Sequence, residues 1–194
     1  MIEIMEHCDS GINVFKYKGQ KTLQVVGVEK AFTKLHEQTK DNPFSTIIEL
    51  GSDYGGLTNL LADHPLSNSA NIHTFDINKQ NFISYSDKIT FHNKDFYECF
   101  ELIRGLIESS GRVLLLCDGG NKKQEFADFH VFLKPDDIVM AHDYVKDRKT
   151  FMNEYYGKIW SWHEFEDSYA AFPRLHPFLQ DEFEPYVWCI RIKK

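Results

Sequence analysis

Apolar positions along the chain fall into helical and strand-like stretches that alternate. Val25, Val28, Phe32 and Leu35 recur at helical spacing, which predicts an amphipathic helix over residues 22–39. Asp41-Asn42-Pro43 breaks it. Thr46–Leu50 is a short apolar run closed by Gly51 and reads as a buried strand. A helix over 57–62 opens just after the glycines, and short strands are expected at 73–76 and 89–92. Phe96, Phe100, Ile103 and Ile107 keep the helical period until Gly111 ends it. Val113–Cys117 is the most apolar strand of the chain. Phe126, Phe129 and Leu133 form another helical face, closed by Pro135. Residues 138–141 read as a fifth strand, and Phe151, Met152 and Tyr155 predict a helix before Gly157.

The last fifty residues follow a different pattern. Residues 159–165 and 186–192 are aromatic-rich strand candidates, joined through Pro173, Pro177 and Pro185 without a convincing helix. Strand–helix alternation followed by two loop-joined strands predicts an α/β fold: a mostly parallel seven-stranded sheet with an antiparallel C-terminal edge. No repeat or Pro/Gly/Ser-rich linker divides the chain, so residues 1–194 read as one domain. Its expected parts are an N-terminal extension and helix at 1–40, a core at 45–144 and C-terminal strands at 145–194. Trp160, Trp162, Tyr186 and Trp188 read as core or edge packing, with a substrate-pocket lining or a homodimer contact as minor alternatives.

Composition narrows the class. The net charge is −7, from 22 Lys and Arg against 29 Asp and Glu, which argues against a dedicated nucleic-acid partner. The basic tail from Arg191 to Lys194 reads as a solvated terminus. No apolar run approaches the ~20 residues a membrane-spanning helix needs, so no membrane partner is expected. Acids occupy the first six residues where a signal peptide carries basic and then apolar ones, so the expected residence is cytoplasmic. Cys8, Cys99, Cys117 and Cys189 form no Cys-x-x-Cys pair and read as buried reduced thiols.

In open α/β sheets, ligands bind beyond the carboxyl ends of the strands, so the residues following each strand carry the chemistry. The first strand is followed by Gly51-Ser52-Asp53-Tyr54-Gly55-Gly56. Such a turn lets a backbone approach a ligand closely, or is a bare glycine turn. It matches neither the dinucleotide fingerprint nor a phosphate loop. Asp76 ends the second strand, where an acid can accept from ribose hydroxyls. Asp95, before Phe96, is either a helix cap or an adenine contact. Asp118-Gly119-Gly120-Asn121-Lys122-Lys123 follows the fourth strand, and His142-Asp143-Tyr144 the fifth. If those strands are neighbours, Asp118 and Asp143 converge, and close carboxylates need a proton or a cation between them. Hard oxygen ligands suit Mg²⁺. His142 as a third ligand shifts the preference toward Mn²⁺, Fe²⁺ or Zn²⁺. Otherwise the two acids are solvated caps and His142 a packing residue.

These motifs together resemble the class I S-adenosylmethionine-dependent methyltransferases. Ile47 to Gly56, Phe75-Asp76-Ile77, Cys117-Asp118-Gly119-Gly120 and His142-Asp143-Tyr144 are most similar to the cephalosporin hydroxylase and macrocin O-methyltransferase branch. The likeness covers residues 20–144 well and the remainder by topology. It implies a Rossmann-like methyltransferase sandwich, with residues 145–194 on the acceptor side. The cofactor would be S-adenosylmethionine, bound by Glu49, Gly51, Ser52, Tyr54, Gly55, Gly56, Asp76, Asp95, Phe96 and Asp118. A divalent cation, Mg²⁺ first and Mn²⁺ or Fe²⁺ next, would sit on Asp118, His142 and Asp143. It would lower the pKa of an acceptor hydroxyl and aim it at the methyl group. Lys122 or Lys123 would take the proton, so Lys122, Asp118 and Asp143 form the implied catalytic set. The implied substrate is a small hydroxylated molecule such as a sugar or natural product. His142 and Tyr144 depart from the acid and the amide found in relatives. Three other readings of the scaffold stay open: a metal-dependent hydroxylase, a non-catalytic S-adenosylmethionine-binding protein and a nicotinamide-dependent enzyme, against which the missing dinucleotide fingerprint counts.

Overall fold

The computed structural model describes residues 2–6, 13–78, 82–109, 111–157 and 163–194. The chain opens with an antiparallel three-stranded sheet, β1 (Ile2–Glu6), β2 (Asn13–Tyr17) and β3 (Gln20–Thr22). Then come α1 (Val28–Thr39), β4 (Thr46–Leu50), α2 (Gly56–Asp63), β5 (Asn71–Phe75), β6 (Ile89–His92) and α3 (Phe100–Ser109). These are followed by β7 (Val113–Cys117), α4 (Lys122–Phe129), β8 (Ile138–Ala141) and β9 (Tyr144–Val145). A single turn, α5 (Arg148–Thr150), leads into a π-turn at Phe151–Tyr155. The chain ends with β10 (Phe165–Glu166), β11 (Leu175–Pro177), α6 (Gln180–Phe183) and β12 (Cys189–Lys193).

The main sheet has seven strands in the order β11-β12-β8-β7-β4-β5-β6. Strands β8, β7, β4, β5 and β6 are parallel, and β12 and β11 add antiparallel at one edge. The expected fold class therefore holds. The apolar runs of β4, β7 and β8 are buried throughout. Their residues divide between two cores on opposite faces, as sheets covered on both sides require. Ile47, Leu114 and Leu116 join Phe32, Leu35 and Trp188 on one face. Ile48, Leu50, Leu115 and Cys117 join Ile103, Ile107 and Phe126 on the other.

Several expected boundaries move. The first helix starts at Val28, because Gln20–Thr22 is taken into the N-terminal sheet. Phe96 lies in a turn ahead of α3. The seventh strand of the main sheet is Leu175–Pro177, not residues 159–165. Of that span, 159–162 lies outside the described residues, and Phe165 pairs in parallel with Tyr144 in a separate two-stranded sheet. Trp160 and Trp162 also lie outside the described residues. Cys99, Cys117 and Cys189 are buried free thiols, while Cys8 lies outside the description. No helix among the described residues is long and apolar enough to cross a membrane.

Beyond the strand ends, the parallel ladder continues for one more residue in each loop. Gly51 N donates to Phe75 O at 2.9 Å, Asp118 N to Leu50 O at 2.9 Å, and His142 N to Cys117 O at 3.1 Å. Asp76 N donates to His92 O at 3.1 Å. The four loops that carry the candidate chemistry are thus locked side by side along one edge. The strand order reverses between β4 and β7, the switch point at which such sheets bind ligands.

Candidate functional site

Two cavities of about 280 Å³ each open at this edge, and Gly51, Gly119 and Gly120 line both. Gly51 takes φ +88°, and a Cβ there would collide with the Asp118 carbonyl. A glycine is therefore required where the loops after β4 and β7 cross.

The first cavity is lined mainly by charged and polar residues. Glu49, Ser52, Asp118, Lys122, His142 and Asp143 line it, together with Gln24 and Glu164. Glu49 points inward from β4 and is 1% exposed. Its Oε2 accepts from Thr58 Oγ1 at 2.5 Å and from Thr74 Oγ1 at 2.6 Å. Oε1 is buried with no hydrogen-bond partner, as is Ser52 Oγ. Burial pushes the Glu49 carboxyl up to about 7, against the pull of the two threonine hydroxyls.

Across the cavity, His142 Nδ1 lies 3.1 Å from Asp118 Oδ1 and 3.4 Å from Asp143 Oδ1. Burial draws the imidazole down, but Asp118 and Asp143 outweigh it and hold His142 above its ordinary value. Asp118 Oδ2 accepts from Gln24 Nε2 at 2.8 Å. Lys122 Nζ lies 3.0 Å from Asp143 Oδ2 and 3.2 Å from Glu164 Oε2, and donates to Gly119 O at 2.9 Å. Burial alone would lower the Lys122 pKa, yet Asp118, Asp143 and Glu164 raise it. The loop that carries this set is held from below by Glu125. That carboxylate accepts from Gly119 N at 3.1 Å and from Asn121 N at 2.9 Å. Burial pushes it up to about 7 despite those bonds.

The second cavity is more apolar. Phe75, Ile77, Phe96 and Tyr97 form its walls, with Asp76 and Asp95 beside them. Asp76 accepts from Asp53 N at 2.9 Å and from Asn78 N at 2.7 Å. The Asp95 side chain caps the next turn, accepting from Tyr97 N at 2.8 Å.

Most of the candidate residues therefore meet at one edge, and three do not. Tyr54 lines a separate hollow with Lys21, Phe82 and Ile83. Gly55 lines neither cavity; a Cβ there would meet the Phe82 ring at 2.5 Å. The alternative base, Lys123, is exposed and rests 4.0 Å above the Tyr169 ring. Three contributors were missed by the sequence reading. Gln24 and Glu164 are isolated polar residues without a motif. Glu125 carried a faint signal, standing in the first turn of a helix capped by Asn121.

The carboxylates do not fit a divalent ion as they stand. Each oxygen of Asp118 and Asp143 already faces a nitrogen of Gln24, His142 or Lys122. The ammonium, and not open space, lies between Asp143 and Glu164. Among the described residues no group of three or more His, Cys, Asp or Glu side chains is arranged to hold a metal.

No family model matches the chain, and no curated protein matches its sequence. Solved structures do. One of cmcI with SAH is 15% identical, covers 96% of this chain and 84% of its own, and superposes with a TM-score of 0.62. Another of cmcI, with Mg-SAM, is 18% identical over 91% of this chain and 76% of its own, also at 0.62. A Staphylococcus aureus protein assigned as a caffeoyl-CoA O-methyltransferase is 14% identical over 86% and 83%, at 0.56. The mixed seven-stranded sheet, its antiparallel edge and these superpositions make the fold a Rossmann-like α/β sandwich of the kind those structures share.

Proposed function

We propose that the chain binds S-adenosylmethionine across the two joined cavities and transfers its methyl group to an oxygen of a small hydroxylated acceptor, a sugar or natural product. The observation that carries this reading is the buried, unpartnered Glu49 Oε1 in the wall of an acidic cavity that opens onto an apolar one. An unsatisfied buried carboxylate oxygen is costly unless a ligand donor meets it. The cofactor supplies such a donor in its amino group. Its adenine fits between Phe75, Phe96 and Tyr97, and its ribose hydroxyls reach Asp76. The SAH and SAM named for the cmcI structures support the same choice of ligand.

In the reaction, an acceptor oxygen attacks the methyl carbon while the carbon–sulfur bond breaks and its electron pair stays on sulfur. S-adenosylhomocysteine leaves. The hydroxyl proton passes to Glu164, whose side chain is 34% exposed and borders the cavity, against 7% for Asp143. Residues 145–194 supply this acceptor side. Most of the rate gain is proximity and orientation within the cavity. The divalent ion expected from sequence has no part in this reading, because Lys122 and His142 already face the carboxylates it would need.

Calorimetry with S-adenosylmethionine and with NAD tests the binding step. Heat with the first and none with the second is expected, and no heat with the first defeats the proposal. Screening hydroxylated acceptors for S-adenosylhomocysteine release tests the transfer. A protein that binds the cofactor yet releases none with any acceptor is a binding module.

A further inference from the structure

We propose that Lys122 is the built-in cation of this site: its ammonium fills the place between Asp143, Glu164 and the Gly119 carbonyl that a divalent ion would need, and it keeps the site free of metal. The argument rests on geometry. Three hard oxygens, from the loop after β7, the loop after β8 and the segment before β10, surround one position. Such a set suits a hard cation. The position is taken, at 2.9, 3.0 and 3.2 Å, by a lysine that is only 7% exposed.

That lysine is held in place. It stands at the start of α4, just after Asn121, whose side chain accepts from Gln124 N. Glu125 grips the backbone N–H groups of Gly119 and Asn121 on either side of the loop turn. The ammonium cannot leave without uncovering one oxygen on each of two carboxylates, one of them nearly buried. A dication approaching the same oxygens would meet a fixed positive charge at contact range. Lys122 thereby acts as a positioning residue, tying Glu164 to Asp143 and the Gly119 carbonyl, and the place of the metal passes to a side chain. This deepens the proposed methyl transfer in its mechanism, although the claim about metal stands on the lysine alone.

The test is a Mn²⁺ titration followed by electron paramagnetic resonance, on the full chain. Wild type should bind no stoichiometric Mn²⁺ at millimolar metal, and Lys122→Arg should behave alike. Lys122→Met should gain affinity by roughly tenfold or more, the range over which neighbouring groups move metal affinity. Stoichiometric Mn²⁺ binding by wild type overturns the proposal, as does a folded Lys122→Met that gains none. Should Lys122→Met fail to fold, the wild-type titration decides by itself. Calorimetry with S-adenosylmethionine should read the same in EDTA as in Mg²⁺. Loss of all cofactor heat would defeat the proposed function and leave the Mn²⁺ result standing.

Discussion

Gln24 donates its side-chain amide to the Asp118 carboxylate at 2.8 Å, across 94 positions of sequence. Its carbonyl end accepts from the fully buried Trp188 indole at 2.8 Å. One glutamine therefore ties the segment after β3 and the residue just before β12 to the loop after β7. The ring of Trp188 also packs against His142, with centroids 4.7 Å apart. The shape of the cavity thus depends on residues far outside the loops that line it.

Gln24→Leu removes both contacts with little change of volume. It strands the buried Trp188 N–H and should cost about 1–3 kcal/mol, the desolvation penalty of an unpaired donor. Urea unfolding followed by tryptophan fluorescence reads this directly. An unchanged midpoint would mean the Trp188–Gln24–Asp118 chain contributes nothing to stability.

Gly51→Ala and Gly120→Ala form a matched pair. At Gly51 the backbone sits at φ +88° and an added methyl meets the Asp118 carbonyl, so strain and collision add. The strain alone is of order 1–3 kcal/mol. At Gly120 an added methyl meets nothing within 4 Å, so the stability of that variant should stay near wild type. Thermal melting of the two variants should therefore separate clearly, and equal melting temperatures would contradict the loop crossing described here.

Asp76→Ala should weaken S-adenosylmethionine binding by about tenfold or more, the scale of losing a charge-assisted pair of hydrogen bonds. The same carboxylate also fixes the turn through Asp53 N and Asn78 N. Asp95→Ala is the comparison, since Asp95 caps a turn in the same cavity. It should cost stability of about 1 kcal/mol, as cap losses do. Its cofactor affinity should fall less than that of Asp76→Ala. Calorimetry on both variants checks the order, and the reverse order would move the ribose contact away from Asp76.

The sheet was legible because β7 and β8 are buried on both faces and read as unbroken apolar runs, and β4 departs from one only at Thr46 and Glu49. The loop placement followed from those strands, which is why Asp76, Asp118 and Asp143 could be assigned to one edge. The outer strands were not legible. Leu175–Pro177 has three residues and a proline, and it is a strand only because it pairs with β12 at the sheet's edge. Gln20–Thr22 is polar and short, and it too takes its state from a partner. Within the site, Lys122 was visible as a candidate but its surroundings were not. Glu164 lies 42 positions away in a segment with no motif, and Gln24 joins Asp118 only through tertiary packing. Spacing along a chain reports periodic elements, whereas single long-range polar contacts leave no periodic trace.

Glu49 gives a pH dependence whose sign can be worked out. Its carboxyl is raised from an ordinary 4.5 to about 7, first by burial, with Thr58 and Thr74 opposing. A raised acid binds its proton more tightly in the folded chain than in the unfolded one. The folded state then holds more protons between pH 4.5 and about 7, so stability falls as pH rises through that window. Above it the loss is complete and the slope ends. Glu125 is raised by burial in the same range, so wild type carries both slopes. Glu49→Gln removes one of them and keeps a side chain that can accept from the two threonines. The variant should therefore gain on wild type steadily from pH 4.5 to about 7, by up to about 3 kcal/mol. Urea unfolding of the pair at half-unit pH steps measures the difference. A difference that stays constant over the window, or shrinks as pH rises, would show that Glu49 is ionised in the folded chain well below neutrality.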